Sequence, residues 1–320
     1  MLKRALFVFF VAASPAGLAQ SFPERPVEAG DGASSPTPDS SRQCPAVSAG
    51  QRRVSYRFPP HRQVVEGVTF ATNWEDIPTG GWFGRQAVDD CRIRVDGFRT
   101  WHGKAAVRVE VQANDDPLAL NANSERAEMF SMQDIGGREI TEGIWSAVQY
   151  YATSYYFPSN WRGQQLPWSA FAPAHCSADK NACNSWSFVL QFYGWGGLVA
   201  AQREVGGPQR YLFNQAEFSD GGRLALGRWT DFIFRIDWRT GTYAIWRRNE
   251  GEKPFRLVLE GMSKVPSGRP IYVKQGLYRG GKVEGRTDVL WIGPTVRGAT
   301  FSAVERQAFD SNDGQTDGRD

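Results

Sequence analysis

The chain is poor in the residues that metal and redox chemistry draw on. Its 320 residues include four Cys, four Met and three His. Neither a Cys-x-x-Cys pair nor a His-x-x-x-His occurs, so the spacings of common zinc sites are missing. There is no Walker loop and no dinucleotide fingerprint, which argues against a nucleotide ligand. The apolar run near the N-terminus is too short to span a bilayer, and no later stretch is long and apolar enough either. No amphipathic helical pattern runs longer than a few turns, and no solenoid repeat is visible. Excess charge of one sign is also lacking. With 37 basic and 34 acidic residues the net charge is +3, far from the strong basic excess of a general nucleic-acid binder.

What the chain does have begins with a targeting pattern. Lys3 and Arg4 precede an apolar run at residues 5–13, and Gly17-Leu18-Ala19 supplies small residues for cleavage before Gln20. Removing residues 1–19 leaves 35 basic against 34 acidic residues, a net charge of +1. The expectation is an exported protein, periplasmic or secreted, with no membrane anchor and no nucleic-acid partner, acting as a monomer. In such a compartment the four cysteines allow two disulfides. Proximity favours Cys176–Cys183 and Cys44–Cys91 among three possible connectivities. Residues 20–52, rich in Pro, Ser and Gly, read as a flexible linker. Residues 53–307 are one domain by size, and 308–320 read as a disordered acidic tail.

The body is patterned almost entirely as strands. Arg92-Ile93-Arg94-Val95 alternates, as do residues 106–111. Residues 229–238 and 242–246 read as a hairpin joined by Arg239-Thr240-Gly241. Residues 187–193 and 288–292 are further strands. Many short strands with Gly-rich turns argue an all-β sandwich or jelly roll. Twelve Trp, ten Tyr and twenty Phe must mostly pack the core. The cluster Trp145, Tyr150, Tyr151, Tyr155, Tyr156, Trp161 and Trp168 is dense enough to suggest sugar-stacking surfaces as well.

The segment Tyr272-Val273-Lys274-Gln275-Gly276-Leu277-Tyr278 carries the most chemistry. Strand alternation puts Tyr272, Lys274, Gly276 and Tyr278 on one face, with Lys274 and Tyr278 about 13 Å apart at Cα. Two phenols and one ammonium flanking a bare Gly would seat a sugar ring. The plainer alternative is an edge strand guarded by Lys, with Gly at a bulge. In Ser124-Glu125-Arg126-Ala127-Glu128 the residues Ser124, Arg126 and Glu128 share one face and Glu125 the other. Arg126 there is either one half of an ion pair or a carboxylate clamp. Gln191 and Tyr193 share a face of an otherwise apolar strand, where a Gln needs a partner.

These pieces, in this order and together with residues 150–158 and 241–246, resemble the β-jelly-roll polysaccharide lyases. The similarity covers about residues 65–300. It is nearest to the heparin lyase I-like and glucuronan lyase-like group, with the family 7 alginate lyases more distant. The resemblance implies a concanavalin-like sandwich of two curved antiparallel sheets and β-elimination at a uronic acid in an anionic polysaccharide. It implies Tyr278 as the acid, with Lys274 lining the same subsite. Arg126 and Gln191 would hold the carboxylate, and Glu128 and Tyr272 would complete the substrate contacts. One position departs from the group: Tyr193 stands where relatives often carry a His. A phenol, with a pKa of about 10, is a weak base at neutral pH without cationic neighbours. Tyr193 itself, His175 or His102 could supply the missing function. A non-catalytic glycan-binding sandwich is the alternative. A hydrolase is disfavoured, because Glu125 and Glu128 point to opposite faces and no Glu-x-Asp-x-x-Glu strand is present. No cofactor is required. Asp89-Asp90 and Asp115-Asp116 leave calcium as a possibility beside the reading of solvated acidic turns.

Overall fold

In a computed structural model of the protein, the chain divides into two units, Met1–Gln43 and Cys44–Asp320. The described residues are Cys44 and most of 66–310. Internal stretches outside the description include 75–80, 119–123, 144–147, 177–185, 194–197, 204–210, 214–222 and 263–269. The expected signal peptide, the expected linker apart from Cys44, His102, Trp145, Cys183 and the side chains of Gln191 and Tyr193 lie outside the described residues.

Fifteen described strands run as β1 (Val68–Ala71), β2 (Trp82–Gln86), β3 (Ile93–Trp101), β4 (Lys104–Val111), β5 (Ser124–Met132), β6 (Val148–Tyr156), β7 (Trp168–Cys176), β8 (Trp186–Tyr193), β9 (Leu198–Arg203), β10 (Tyr211–Phe213), β11 (Trp229–Asp237), β12 (Thr242–Asn249), β13 (Arg256–Met262), β14 (Ile271–Gly280) and β15 (Asp288–Gly298). They form two antiparallel sheets of a jelly-roll sandwich. The first is ordered β13-β12-β11-β6-β15-β4-β3, with β1 also on β15, and the second β10-β9-β8-β7-β14-β5-β2. The expected hairpin is β11–β12, in register from Thr230↔Asn249 to Ile236↔Tyr243, and Gly241 takes the left-handed turn position at φ 77°.

The sheets enclose the main core, which draws Val107 and Val109 from β4, Phe232 and Phe234 from β11, and Leu277 from β14. A polar bridge crosses it. Gln275 Nε2 on β14 donates to Thr153 Oγ1 (2.7 Å) and Tyr155 OH (3.0 Å) on β6, while Thr295 Oγ1 donates to Gln275 Oε1 (2.8 Å). This pairing satisfies an amide that would be costly to bury alone.

The outer face of the first sheet is also covered. Helix α1 (Phe301–Phe309) packs Ala303, Val304, Ala308 and Phe309 against Trp101, Ala152, Ile233 and Val296. Thr300 caps it, its Oγ1 accepting from Ala303 N at 3.2 Å. Strand β11 is therefore buried along both faces. Ala308 and Phe309, assigned to the tail from sequence, are buried at the end of this helix. Most of the aromatic cluster is structural too. Tyr151, Tyr155 and Trp161 sit in the main core, and Tyr150 and Tyr156 pack on the α1 side.

Cys44 and Cys91 are joined, with Cα atoms 5.7 Å apart. Cys44 N donates to Glu110 Oε1 at 3.1 Å, and Gln112 Nε2 donates to Cys44 O at 2.7 Å. The residues of the acidic turns have protein partners. Asp115 is buried against Arg92 (2.7 Å), Asp89 accepts from Cys91 N, and Asp90 pairs with Arg85. Among the described residues no cluster of His, Cys, Asp or Glu could hold a metal ion, and no helix is long and apolar enough to cross a membrane.

Candidate active site

Strand β14 lies between β5 and β7, so its two faces meet different surroundings. Gln275 and Leu277 point into the core with Arg279. Arg279 is fully buried and bonds Glu125 (2.6 Å) and Asp288. This network occupies Glu125 entirely on the core side and pins β14 to β5 one residue from Tyr278. The opposite, outward face carries Tyr272, Lys274, Gly276 and Tyr278, as alternation predicts.

Register assembles the rest. Tyr278 lies opposite Arg126 on β5 and Ala170 on β7, and Ala170 lies opposite Gln191 on β8. Arg126, Tyr278 and the backbone of Gln191 thus fall in one row across four strands. The Arg126 guanidinium stands 3.8 Å from the centre of the Tyr278 ring. Trp168 meets that ring edge-on at 4.7 Å, and Ser124 Oγ donates to Tyr278 OH at 3.3 Å. Tyr278 remains half-buried. Tyr193 is in register with Trp168, one step along β8.

Lys274 departs from the expected geometry. It does not lean over Gly276 as an open cation; it is 2% exposed. Its Nζ donates to Glu128 Oε2 at 3.0 Å and to Gln86 Oε1 at 2.7 Å. Burial lowers its pKa, and Glu128 opposes that shift. Glu128 also lies 3.6 Å from Arg126. Two cations therefore share one carboxylate at the floor of this face. Lys274 is held in that floor by its two partners. Gly276 departs as well, since its missing side chain leaves room for β5 and not for a sugar. At φ 155°, a Cβ there would lie 2.3 Å from Ala127 O and 2.6 Å from Glu128 Cα.

His175 does join this face. It lies opposite Tyr272, and the two rings stack at 5.8 Å. Burial and the charges of Lys274 and Arg126 push its pKa well below 6.5, so its imidazole is neutral at neutral pH. Along β7 it is five residues from Ala170, the partner of Tyr278. That is about 16 Å of strand, too far to act on the same sugar carbon. Burial and Glu128 raise the Tyr272 phenol to about 12. Gln86 and Phe130 were not anticipated from the sequence as parts of this face, and Trp168 only as a member of the aromatic cluster. Each sits in an ordinary-looking strand and is brought here only by pairing.

Residues 75–294 match the polysaccharide lyase family. The chain belongs to that family. No curated protein matches the sequence significantly. Among solved structures, the lyase is similar to the alginate lyase AlgAT5 of polysaccharide lyase family 7, at 15% identity and TM-score 0.41, over 64% of this chain and 82% of that one. An alginate lyase from Corynebacterium sp. matches at 15% identity and TM-score 0.42, over 74% and 96%. The catalytic domain of a glycoside hydrolase family 131 protein from Coprinopsis cinerea matches at 14% identity and TM-score 0.43, over 65% and 77%. These matches do not carry the finer assignment to the heparin lyase I-like group. A polysaccharide lyase on a β-jelly roll is what stands.

Proposed function

We propose that this lyase cleaves a uronic-acid-containing polysaccharide by β-elimination. The observation that carries the reading is the row formed by Tyr278 and Arg126, set beside a floor where Arg126 and Lys274 share the single carboxylate of Glu128. Excess positive charge on a largely desolvated face favours an anion. A sugar seated against Tyr278 presents its carboxylate to Arg126, whose fork matches carboxylate geometry. Negative charge spreads onto that carboxylate as the C5 proton leaves, and Arg126 stabilises it there. Gln191, in the same row, is assigned as the second carboxylate contact.

Because His175 is remote, Tyr278 serves as both base and acid. As phenolate it takes the C5 proton. The C5–H electrons form the C4–C5 double bond, the C4–O bond breaks, and the phenol returns the proton to the departing oxygen. Glu128 and Lys274 position Arg126 and the floor beneath it. Tyr272 contacts a more distant sugar of the same chain. Processing at the N-terminus would place the enzyme in the periplasm or outside the cell, where such polymers are met.

The test is to mix the purified protein with a panel of polyuronates and follow ultraviolet absorbance from the new double bond. A rise with one polymer, abolished in Tyr278→Phe while binding persists, is expected. Binding to a polyuronate with no absorbance change under any condition would overturn the elimination reading in favour of a glycan-binding protein.

A further inference from the structure

A second feature of the outward face lies apart from the Tyr278 row. Phe83 on β2, Phe130 on β5, Tyr272 on β14 and His175 on β7 form a continuous file of rings. Their successive centroids are 6.3, 6.4 and 5.8 Å apart. The file crosses four strands that are neighbours in the sheet. None of these rings belongs to the core between the sheets, and all four remain half-buried and partly open to solvent. Core aromatics of this protein, such as Phe171 and Phe232, are fully enclosed. A file of rings left partly wet on the face that carries the candidate site is costly unless something covers it.

Its chemistry differs from that of the Tyr278 row. His175 is held neutral, and Tyr272 is a neutral phenol at any physiological pH. The charges that act on these two rings are Glu128, Lys274, Arg126 and Glu139, and the first three are paired with one another beneath the face. The file itself is an uncharged aromatic patch, its ring planes tilted by 59° and 71° between Phe83, Phe130 and Tyr272 and by 20° between Tyr272 and His175. It lies about five to six strand residues from Tyr278, roughly 16–20 Å. Such an apolar patch suits the apolar face of a pyranose ring.

We propose that the Phe83–Phe130–Tyr272–His175 file is a distal sugar-stacking subsite. It holds a pyranose unit of the bound polysaccharide several units from the cleaved bond and selects for long chains. This rests on the reading of the Tyr278 row as the cleavage site, and it extends the single contact assigned to Tyr272. The occupant is a sugar of the same chain because both features share one face and one strand, β14. Phe83, on the edge strand β2, marks where the chain would leave the sheet.

The test compares Phe130→Ala and Phe83→Ala with the unaltered protein, using the polyuronate that it binds and the shortest oligosaccharide of it that is cleaved. Loss of one stacked ring should raise KM on the polymer about tenfold with kcat unchanged. The short oligosaccharide should be turned over within about twofold of the unaltered protein. Phe130→Tyr should restore the polymer KM, and melting curves identify any variant that has simply unfolded. An equal loss on polymer and short oligosaccharide, or none on either, overturns the subsite. Equilibrium binding of the polymer is measured alongside. If no absorbance change is ever seen, the elimination reading fails. The subsite then still stands or falls on whether Phe83→Ala weakens polymer binding about tenfold.

Discussion

Replacing Glu128 by Gln should be among the most damaging single changes on the outward face. Glu128 is completely buried and holds Lys274 Nζ at 3.0 Å, with Arg126 at 3.6 Å. Lys274 is 2% exposed, so water cannot replace the lost carboxylate. The new amide oxygen and Gln86 Oε1 can still accept a hydrogen bond, but neither balances the charge. Removing one partner of a buried pair costs about 3–5 kcal/mol, because the other charge stays desolvated. For a domain of this size that corresponds to a fall in Tm on the order of 10 °C. The loss should also acquire a pH signature. The Lys274 pKa is already lowered by burial, and Glu128 is what raises it back. Without Glu128 it falls further. The unfolded chain then binds more protons than the folded one over a wider window below about 10.5, and stability rises with pH across that window. The variant should therefore recover part of its deficit between neutral and alkaline pH relative to the unaltered protein. A second change, Lys274→Met, should recover much of it at neutral pH, giving a favourable coupling in a double-mutant cycle. The assay is urea unfolding of the four proteins at several pH values. A deficit below about 1 kcal/mol, or one independent of pH, would refute the picture of a desolvated lysine held by one carboxylate.

Other consequences are simpler to measure. Gly276→Ala should destabilise by at least about 1–3 kcal/mol and impair turnover, since φ 155° and the approach of Ala127 O at 2.3 Å leave no room for a Cβ. Thermal melting that is unchanged would show that β14 and β5 are not in such contact. Stability should fall as pH drops below about 6.5, because the unfolded chain protonates its histidine there while His175 stays neutral in the fold. His175→Phe should flatten that acid limb, and an unchanged limb would place the dependence elsewhere. Opening the Cys44–Cys91 link, which spans 47 residues of sequence, should cost about 4 kcal/mol by loop entropy. Urea midpoints of Cys91→Ser against the oxidised protein check this.

The sequence by itself determined what depends on local periodicity. Alternation in residues 272–278 and 124–128 fixed which side chains share a face, and the Gly241 turn fixed the β11–β12 hairpin. Spacing made Cys44 and Cys91 partners once the other pair was set aside. The uses of those side chains were decided only by pairing between distant strands. Lys274 meets Glu128 and Gln86 across 146 and 188 residues of sequence, and no local pattern distinguishes that buried ammonium from an exposed one. Gly276 read as space for a ligand, yet the space belongs to the backbone of β5. The dense Trp and Tyr cluster looked like a sugar surface because the sequence does not reveal that Tyr151, Tyr155 and Trp161 turn into the core between the sheets, or that Tyr150 and Tyr156 pack on the α1 side. The aromatic file on the outward face escaped notice for the converse reason. Its four rings come from four strands, each contributing one, and the fold alone sets them side by side.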